Sequence, residues 1–398
     1  MTDRGEKIEK EYTMCSFDHF FNLFSQLHPA YLLEKSQIDS IFLPSLSDDL
    51  SDIEKITKFT TQLNDGHTNI EIPFSSTTKC INAIGKWKNE ILLVTEAHGK
   101  ELKVHDEILE IEGKSVAEYL QFLSSQIPHE NKYLLNSRSC KYPYENYNFF
   151  SAANLWRFVN KKTDCINFTI LRNGVRLNIE EPITHYDKTL QFVDDIKSNT
   201  FYFTPENIGV LLLYSCSYDD YTRNLLHDFF TLAKANNTSQ IILDLSQNMG
   251  GNSNLIIEFL KYINIDKYKG YHVLERKDDE FICLQNREKY IYNNCDSANS
   301  YKGEIFCNIG NDTFSSARMF ATILKDNNIA IITGEPCGGK PSSYGAPHKF
   351  NIIDQQVRCR ISTRLFLRPN SKRDSEKTLI PDISVTDSEI HKLIKTIK

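Results

Sequence analysis

The feature that most constrains this chain is a segment at residues 304–340 that alternates between strand and helix patterns. An apolar run at 304–309 is followed by a Gly-Asn-Asp turn, and a second, β-branched run occupies 329–333. Between the two runs, apolar residues recur at helical spacing. This alternation predicts a strand–helix–strand unit of an α/β fold.

Three hydroxyl residues, Thr313, Ser315 and Ser316, lie where the first predicted strand turns into the helix. A serine at this position can present its hydroxyl group beside the helix N-terminal N–H groups, which favour developing negative charge. These are also the residue types that cap helices. Taken alone, the turn therefore leaves a nucleophile and a helix cap as open alternatives.

The two ends of this segment resemble the signature of the S41 serine peptidases, the family of the C-terminal processing (tail-specific) proteases and the tricorn core. The matching stretches are Thr313-Phe314-Ser315-Ser316-Ala317-Arg318 and Gly334-Glu335-Pro336-Cys337-Gly338-Gly339-Lys340. The register implies that Ser315, rather than Ser316, is the nucleophile, because Ser315 and Lys340 have the separation of the serine and lysine in the processing branch. Arg318 departs from the pattern, since the family usually has a glutamate there.

A histidine follows an Asp-Gly turn in the stretch Asp65-Gly66-His67-Thr68. A histidine after a turn is by itself usually a solvated loop residue. The stretch resembles the Asp-Gly-His-Thr motif of S41 proteins, and in the tricorn branch the matching histidine is the catalytic base. The resemblance therefore implies a functional role for His67.

A pair of glycines, Gly250 and Gly251, follows the predicted strand 241–245. The stretch 244–251 resembles the S41 segment Asp-Leu-Arg-x-Asn-x-Gly-Gly, with Ser246 where the family has arginine. Two glycines let the backbone approach a ligand closely and expose an N–H group, although they also make ordinary strand-to-helix turns. The resemblance implies an oxyanion hole formed by the N–H groups of Gly251 and Ser316, with Gly250 as the alternative to Gly251.

The chain carries both S41 solutions for the general base. Lys340 would need its pKa lowered by several units from about 10.4, through burial or a positive charge such as Arg318. A histidine titrates near 6.5 without perturbation, so His67 is the favoured base and Lys340 the alternative. Glu376 stands near the acidic orienting residue of the tricorn branch, although a surface glutamate in a charged loop is the simpler interpretation.

The region between the histidine motif and the α/β pattern is predicted to be a β-rich module. Its stretch 104–116 resembles the PDZ motif Gly-Asp-x-Ile-Leu-x-Ile-Asn-Gly, with His105 where glycine is usual. PDZ-type domains accept a peptide as an added strand on a sheet edge. Recognition of a substrate tail and simple shielding of the active site are both open roles for the module.

Composition narrows the class of protein. The net charge of −6 and the lack of a basic block argue against nucleic acid as a partner. No apolar run is long enough to span a bilayer, and the N-terminus lacks the apolar region of a secretory signal. The ten cysteines are scattered without a Cys-x-x-Cys pair, which predicts reduced, mostly buried thiols and a cytoplasmic location.

Together these features predict an α/β protein with a ClpP/crotonase-like S41 catalytic core. The predicted parts are an N-terminal helical region at 1–77, a PDZ-like β-rich module at 78–185 and the peptidase core at 186–398. The expected function is a serine-type peptidase that forms a Ser315 acyl-enzyme on a peptide or protein substrate, without cofactor or metal. The alternatives are a catalytically silent S41-like binding protein, a crotonase-type acyl-CoA enzyme, and a scaffold that binds peptides through the module alone. The oligomeric state and the preference for C-terminal tails stay open.

Overall fold

A computed structural model describes residues 16–88, 90–141, 144–190, 197–296, 300–352 and 357–385. The N-terminal stretch 1–15, on which the prediction about a secretory signal depends, lies outside the described residues. None of the described helices has the length and apolar character needed to cross a membrane. The nine cysteines of the described part are all free thiols.

The first region, residues 16–77, is mainly helical and contains one short strand near its end. Its elements are α1 Phe17–Leu27, α2 Pro29–Leu33, α3 Lys35–Gln37, a π-helical turn Ile38–Phe42, a 3-10 turn Leu43–Ser45, α4 Asp52–Gln62 and β1 Asn69–Glu71. Helix α4 begins at Ser51, whose side chain and that of Glu54 form a capping box. Phe24 of α1 packs edge to face on Phe59 of α4, with ring centroids 4.9 Å apart. The loop that follows α4 carries His67, and it therefore starts from a helix that is fixed by packing on α1.

The second region contains an antiparallel sheet and three helices. Its elements are β2 Lys79–Cys80, β3 Ala83–Lys88, β4 Ile91–Ala97, β5 Glu107–Ile111, β6 Lys114–Ser115, α5 Val116–Ser124, α6 Lys132–Lys141, α7 Ala152–Val159, β7 Cys165–Arg172, β8 Val175–Pro182 and β9 Thr184–His185. The main sheet has the order β3-β4-β5-β7-β8, with β6 paired to β5. We call residues 78–185 the module, and its kinship with PDZ domains stays a prediction.

The third region holds the predicted α/β core. Its elements are β10 Thr200–Phe203, β11 Ile208–Leu212, α8 Asp220–Ala235, β12 Gln240–Asp244, α9 Asn254–Leu260, β13 Lys267–Lys269, β14 His272–Lys277, β15 Glu280–Gln285, β16 Tyr290–Tyr292, β17 Glu304–Ile309, α10 Ser315–Asp326, β18 Ile331–Gly334, β19 Ser343–Ile352, β20 Val357–Leu367, a 3-10 turn Ser371–Arg373 and β21 Ile383–Ser384. The core sheet has the order β10-β11-β12-β17-β18-β21. All neighbouring strands in it are parallel except β10 and β11.

The register of the parallel strands brings three loops to one edge of the core sheet. Asp244 pairs with Asn308 at the ends of β12 and β17, and Ile309 pairs with Gly334 at the ends of β17 and β18. The loops that follow β12, β17 and β18 therefore start side by side, at the edge where open α/β sheets bind ligands. The first and third loops carry Gly251 and Lys340, and the second leads into Ser315 at the start of α10.

A second sheet joins the first region to the core. Its path is β1-β20-β14-β15, and β19 also pairs with β20. Ile70 of β1 lies opposite Cys359 of β20, and both side chains are buried in one hydrophobic cluster with Phe24 and Phe59. This pairing fixes the chain three residues after His67 and so places the histidine loop against the core.

Candidate active site

Ser315 lies at the first position of α10, in a backbone conformation that is rare for a serine. Its φ of 50° falls in the left-handed region, which costs a residue with a Cβ about 1–3 kcal/mol. The helix cap is Phe314, with no side-chain capping bond, so the Ser315 hydroxyl is not used to cap the helix. A strained strand-to-helix turn that leaves a hydroxyl free is the arrangement of a nucleophile.

The turn before Ser315 is anchored by bonds to neighbouring loops of the core. The Thr313 hydroxyl donates to the carbonyl of Leu245 at 2.7 Å and accepts the N–H of Gly310 at 2.9 Å. The N–H of Phe314 donates to the carbonyl of Asn248 at 3.1 Å. Thr313 is therefore a structural residue, and these bonds hold the strained conformation of Ser315.

His67 reaches this hydroxyl from the other end of the sequence. Its Nε2 lies 3.0 Å from the Oγ of Ser315, and its ring stacks on Phe314 with centroids 4.6 Å apart. The histidine is 9% exposed, so it is largely shielded from water while still facing the hydroxyl. Nε2 is thus placed to accept the serine proton.

Asp65 fixes the loop that carries His67. It accepts the His67 backbone N–H at 2.8 Å on Oδ1, and on Oδ2 it accepts Thr68 and Ser362 hydroxyls at 2.6 Å each and His28 at 3.0 Å. His28 carries its proton on Nε2, because its Nδ1 accepts the N–H of residue 30. Burial by itself would raise the pKa of Asp65, but the hydrogen bonds outweigh burial and hold that pKa well below its usual range.

Glu130, a residue of the module, is the member of the site that no sequence motif indicated. Its Oε2 accepts the backbone N–H of Lys340 at 2.6 Å and Nη1 of Arg318 at 3.0 Å, and its Oε1 accepts the N–H of Gly66 at 3.2 Å. The Nδ1 atom of His67 lies 3.9 Å from Oε1 of Glu130 and 3.7 Å from Oδ1 of Asp65. That Nδ1 atom is buried and has no hydrogen-bond partner among the described residues.

The glycine loop lies directly against the nucleophile. A Cβ at Gly250 would stand 2.6 Å from the Cβ of Ser315, so only glycine fits there. The N–H of Gly250 donates to the side chain of Asn248 at 2.8 Å and is therefore not available to an oxyanion, which corrects the alternative assignment. The N–H groups of Gly251 and Ser316 have no acceptor among the described residues.

A comparison with protein-family models gives a match to the third region of the chain. Residues 207–385 match the sequence model of peptidase family S41, and this stretch contains the glycine loop and the Ser315 turn. The chain carries a peptidase family S41 domain. The family is one of peptidases, and hence of hydrolases.

Solved structures support the same fold for the whole chain. A structure of mature CPAF complexed with lactacystin is 12% identical, covers 96% of this chain and 96% of its own, and superposes with a TM-score of 0.68. A second structure of mature CPAF is 13% identical, covers 95% of each chain and has a TM-score of 0.62. At these identities the likeness shows the fold. A search of curated protein sequences found no match.

Lys340 lies in the loop that follows β18. Burial lowers the pKa of its ammonium group, although the charge of Glu130 opposes that shift. The backbone N–H of Lys340 binds Glu130, but no hydrogen bond joins its Nζ to Ser315 among the described residues. The structure thus gives the histidine, and not the lysine, a direct contact with the candidate nucleophile.

Arg318, the departure from the S41 pattern, is buried beside the site. Its side chain is 2% exposed and pairs with Glu130, and its Nη2 donates to the Ser343 hydroxyl at 2.5 Å. Its charge is therefore balanced by a carboxylate. Burial is the main cause of the lowered Lys340 pKa, so the alternative in which the Arg318 charge lowers it is not supported.

Glu376 is not brought to His67. Its carboxylate binds Arg368 and Arg373 at 2.6 Å each, and these hydrogen bonds lower its pKa against the effect of burial. The interpretation as a glutamate of a charged loop therefore fits the structure, and the orienting role suggested by the tricorn branch does not.

Asp65, His67 and Glu130 together have the spacing of a small metal site, with ligand atoms within 4.8 Å of one another. Both carboxylates, however, already accept several N–H and O–H groups, and a cation would have to displace these donors.

Proposed function

We propose that this chain is a serine-type peptidase in which Ser315 is the nucleophile and His67 the general base. The observation that carries the proposal is the 3.0 Å separation of His67 Nε2 and Ser315 Oγ, with Ser315 held in a left-handed turn. A nucleophile and a base within hydrogen-bond distance are the first requirement for covalent catalysis by a hydroxyl group.

The reaction then follows from these positions. Ser315 Oγ attacks the carbonyl carbon of the peptide bond while His67 Nε2 accepts the hydroxyl proton. The N–H groups of Gly251 and Ser316 bind the oxyanion, and each such donor stabilises the transition state by about 2.7–4 kcal/mol. The C–N bond breaks as His67 returns the proton to the leaving amine, and water, activated by the same histidine, hydrolyses the acyl-enzyme.

The substrate is proposed to be a peptide or protein that enters between the module and the core. A cavity of about 510 Å³ lies there, next to the loops that follow β17 and β18, and neither Ser315 nor His67 lines it. Its walls include Trp87 and Tyr133 from the module and Asn311, Glu335 and Pro336 from the core. Whether the module selects C-terminal tails stays a prediction, and peptides with a free or an amidated C-terminus would distinguish tail recognition from internal cleavage. The cytoplasmic location likewise stays a prediction.

The decisive experiment measures hydrolysis of a mixed fluorogenic peptide library by the full chain and its Ser315→Ala variant. We expect hydrolysis by the unaltered chain and its loss, by about 10³-fold or more, in Ser315→Ala. Ser316→Ala is the matched control: its hydroxyl donates to the carbonyl of Gly251, so its loss should cost far less. If Ser316→Ala abolishes hydrolysis and Ser315→Ala does not, the assignment of the nucleophile is wrong by one residue.

The base is tested by pH–rate profiles of His67→Ala and Lys340→Ala. We expect His67→Ala to lose the limb near neutral pH and Lys340→Ala to keep it, because only the imidazole contacts Ser315. No covalent labelling of Ser315 by a fluorophosphonate, together with no hydrolysis, would instead support the silent binding protein. Binding of coenzyme A would support the acyl-CoA enzyme.

A further inference from the structure

Two consecutive residues of the module, Glu130 and Asn131, form hydrogen bonds with the loops of the candidate site. They lie between α5 and α6. The Asn131 amide donates to the carbonyls of Gly339 at 2.9 Å and Lys377 at 3.0 Å, and its oxygen accepts the N–H of Gly339 at 3.2 Å. Asn131 thus holds the Lys340 loop by neutral bonds, whereas Glu130 adds a negative charge at the same place.

The charge of Glu130 is directed at the side of His67 that faces away from the nucleophile. If Nε2 accepts the serine proton, the proton of neutral His67 must lie on Nδ1. The nearest acceptors for that proton are Oε1 of Glu130 at 3.9 Å and Oδ1 of Asp65 at 3.7 Å. Catalytic hydrogen bonds are often long before a substrate binds, so both distances are compatible with a bond in the complex.

The hydrogen bonds already made by the two carboxylates separate their roles. Asp65 accepts four donors, including the backbone N–H of His67 itself, and so holds the loop in shape. Oε1 of Glu130 accepts one donor, the N–H of Gly66, at the longer distance of 3.2 Å. Oδ1 of Asp65 also accepts a single donor, but at 2.8 Å, so the more weakly bonded Oε1 of Glu130 keeps more capacity to accept the Nδ1 proton.

Arg318 explains why a second carboxylate can be buried here. At the position where the S41 pattern has an acid on α10, this chain has an arginine, and the acid is supplied by the module from the opposite side. The side chain of Glu130 is fully buried, and an unpaired carboxylate there would be costly. Arg318 balances its charge and holds its Oε2, which leaves Oε1 facing the histidine.

We propose that Glu130 is a positioning residue for His67, so that the module completes the catalytic machinery of the S41 domain with a carboxylate. This proposal rests on the peptidase function proposed above. The charged or titratable groups around His67 are Asp65 on its own loop, Glu130 from the module and Arg138 from α6, whose Nη2 donates to the carbonyl of Gly66, with His28, Arg318 and Lys340 behind them. Glu130 orients the imidazole and stabilises the imidazolium that forms when Ser315 gives up its proton.

The test is Glu130→Gln in the full chain, which removes the charge and keeps the shape. We expect kcat to fall by on the order of 10²-fold with little change in KM. We also expect the acidic limb of the pH–rate profile to move to lower pH by about one unit, because a negative charge near the imidazolium is lost. Glu130→Asp should recover part of the rate, since it restores the charge at a longer distance.

Two control variants separate charge from structure. Asn131→Ala removes the neutral bonds to the Lys340 loop, so it should lower the melting temperature and leave the acidic limb where it is. Glu101→Gln changes a partly exposed carboxylate of the module that pairs with Lys100 and does not line the cavity, and should alter neither quantity.

The outcomes distinguish this proposal from the function on which it rests. An active unaltered chain whose Glu130→Gln variant keeps the acidic limb in place, with or without lower stability, overturns the positioning role alone. An unaltered chain that hydrolyses no peptide and is not labelled at Ser315 overturns the peptidase proposal. A folded Glu130→Gln variant with a moved limb and lower kcat supports both.

Discussion

Two clusters of buried acid and base groups lie at opposite ends of α10, and they use the same residue types differently. At the N-terminal end, Asp65 and Glu130 lie next to Nδ1 of His67, and the charge of Arg318 is paired with that of Glu130. At the C-terminal end, Arg368 is bound by Asp326 through both Nε and Nη2 and by Glu376 through Nη1. We call these the site cluster and the distal cluster.

The difference lies in how completely the polar atoms are paired. In the distal cluster every nitrogen of the Arg368 guanidinium has an acceptor. The arrangement therefore joins the end of β20 to α10. In the site cluster, His67 Nδ1 and Arg318 Nε are buried without a hydrogen-bond partner among the described residues. Buried groups left unpaired cost stability, and such costs concentrate at functional sites.

The largest expected effect on stability is that of Arg368→Met in the distal cluster. The side chains of Arg368 and Asp326 are both fully buried, so the substitution leaves a carboxylate without its cation. Breaking a buried ion pair in this way costs about 3–5 kcal/mol. Urea unfolding would measure the loss, and the folded fraction should keep its specific activity. A fall in activity without a fall in stability would show that the distal cluster is not purely structural.

A smaller, pH-dependent effect is expected for Asp65→Asn in the site cluster. Hydrogen bonds to a charged group contribute about 1.5–3 kcal/mol, and the depressed pKa of Asp65 means that it favours folding in its charged form. This contribution is complete above the unfolded-state pKa of about 3.9 and is lost as pH falls towards the lower folded-state pKa. The gap in unfolding free energy between the unaltered chain and the variant should therefore narrow below about pH 4. A gap that stays constant down to pH 2 would contradict the role of the carboxylate charge.

The smallest effect on stability is expected for Glu376→Gln in the distal cluster. Its side chain is 30% exposed, and Arg368 keeps Asp326 as a partner after the change. We expect a loss of about 1 kcal/mol in unfolding free energy and unchanged peptide hydrolysis. The matched comparison is Glu130→Gln, which should reduce kcat. A large loss of activity in Glu376→Gln alone would restore the tricorn-like assignment.

The α/β core was well predicted because its signals are local. The strand 304–309 is confirmed with the same bounds, and the helix and strand that follow begin within two residues of the predicted places. The S41 assignment, made from short stretches around Asp65, Gly250, Ser315 and Lys340, is also confirmed for the core. Apolar periodicity and turn residues act over a few positions, so a sequence shows them directly.

The site was only partly predictable. The structure brings His67 to Ser315 as expected, but the division of the remaining roles differs from the expectation. Glu130 lies in the stretch Pro128-His129-Glu130-Asn131, which matches no motif. Its partner Arg318 stands where the S41 pattern has a glutamate. The sequence held one signal: α10 lacks the acid of the S41 pattern, while the module contains an acid. No local pattern relates these two positions.

What the sequence by itself determined is the strand–helix–strand pattern of the core, the S41 resemblance and the chemical types of the candidate catalytic groups. The tertiary structure alone decided which two acids lie beside the histidine, which glycine N–H has no acceptor among the described residues, and that Glu130 of the module lies next to the candidate site. The physical reason is that periodicity and turn chemistry are short-range, whereas the pairing of a buried charge depends on which distant segments pack together. Glu130 and Arg318 are 188 residues apart in the chain and 3.0 Å apart in the fold.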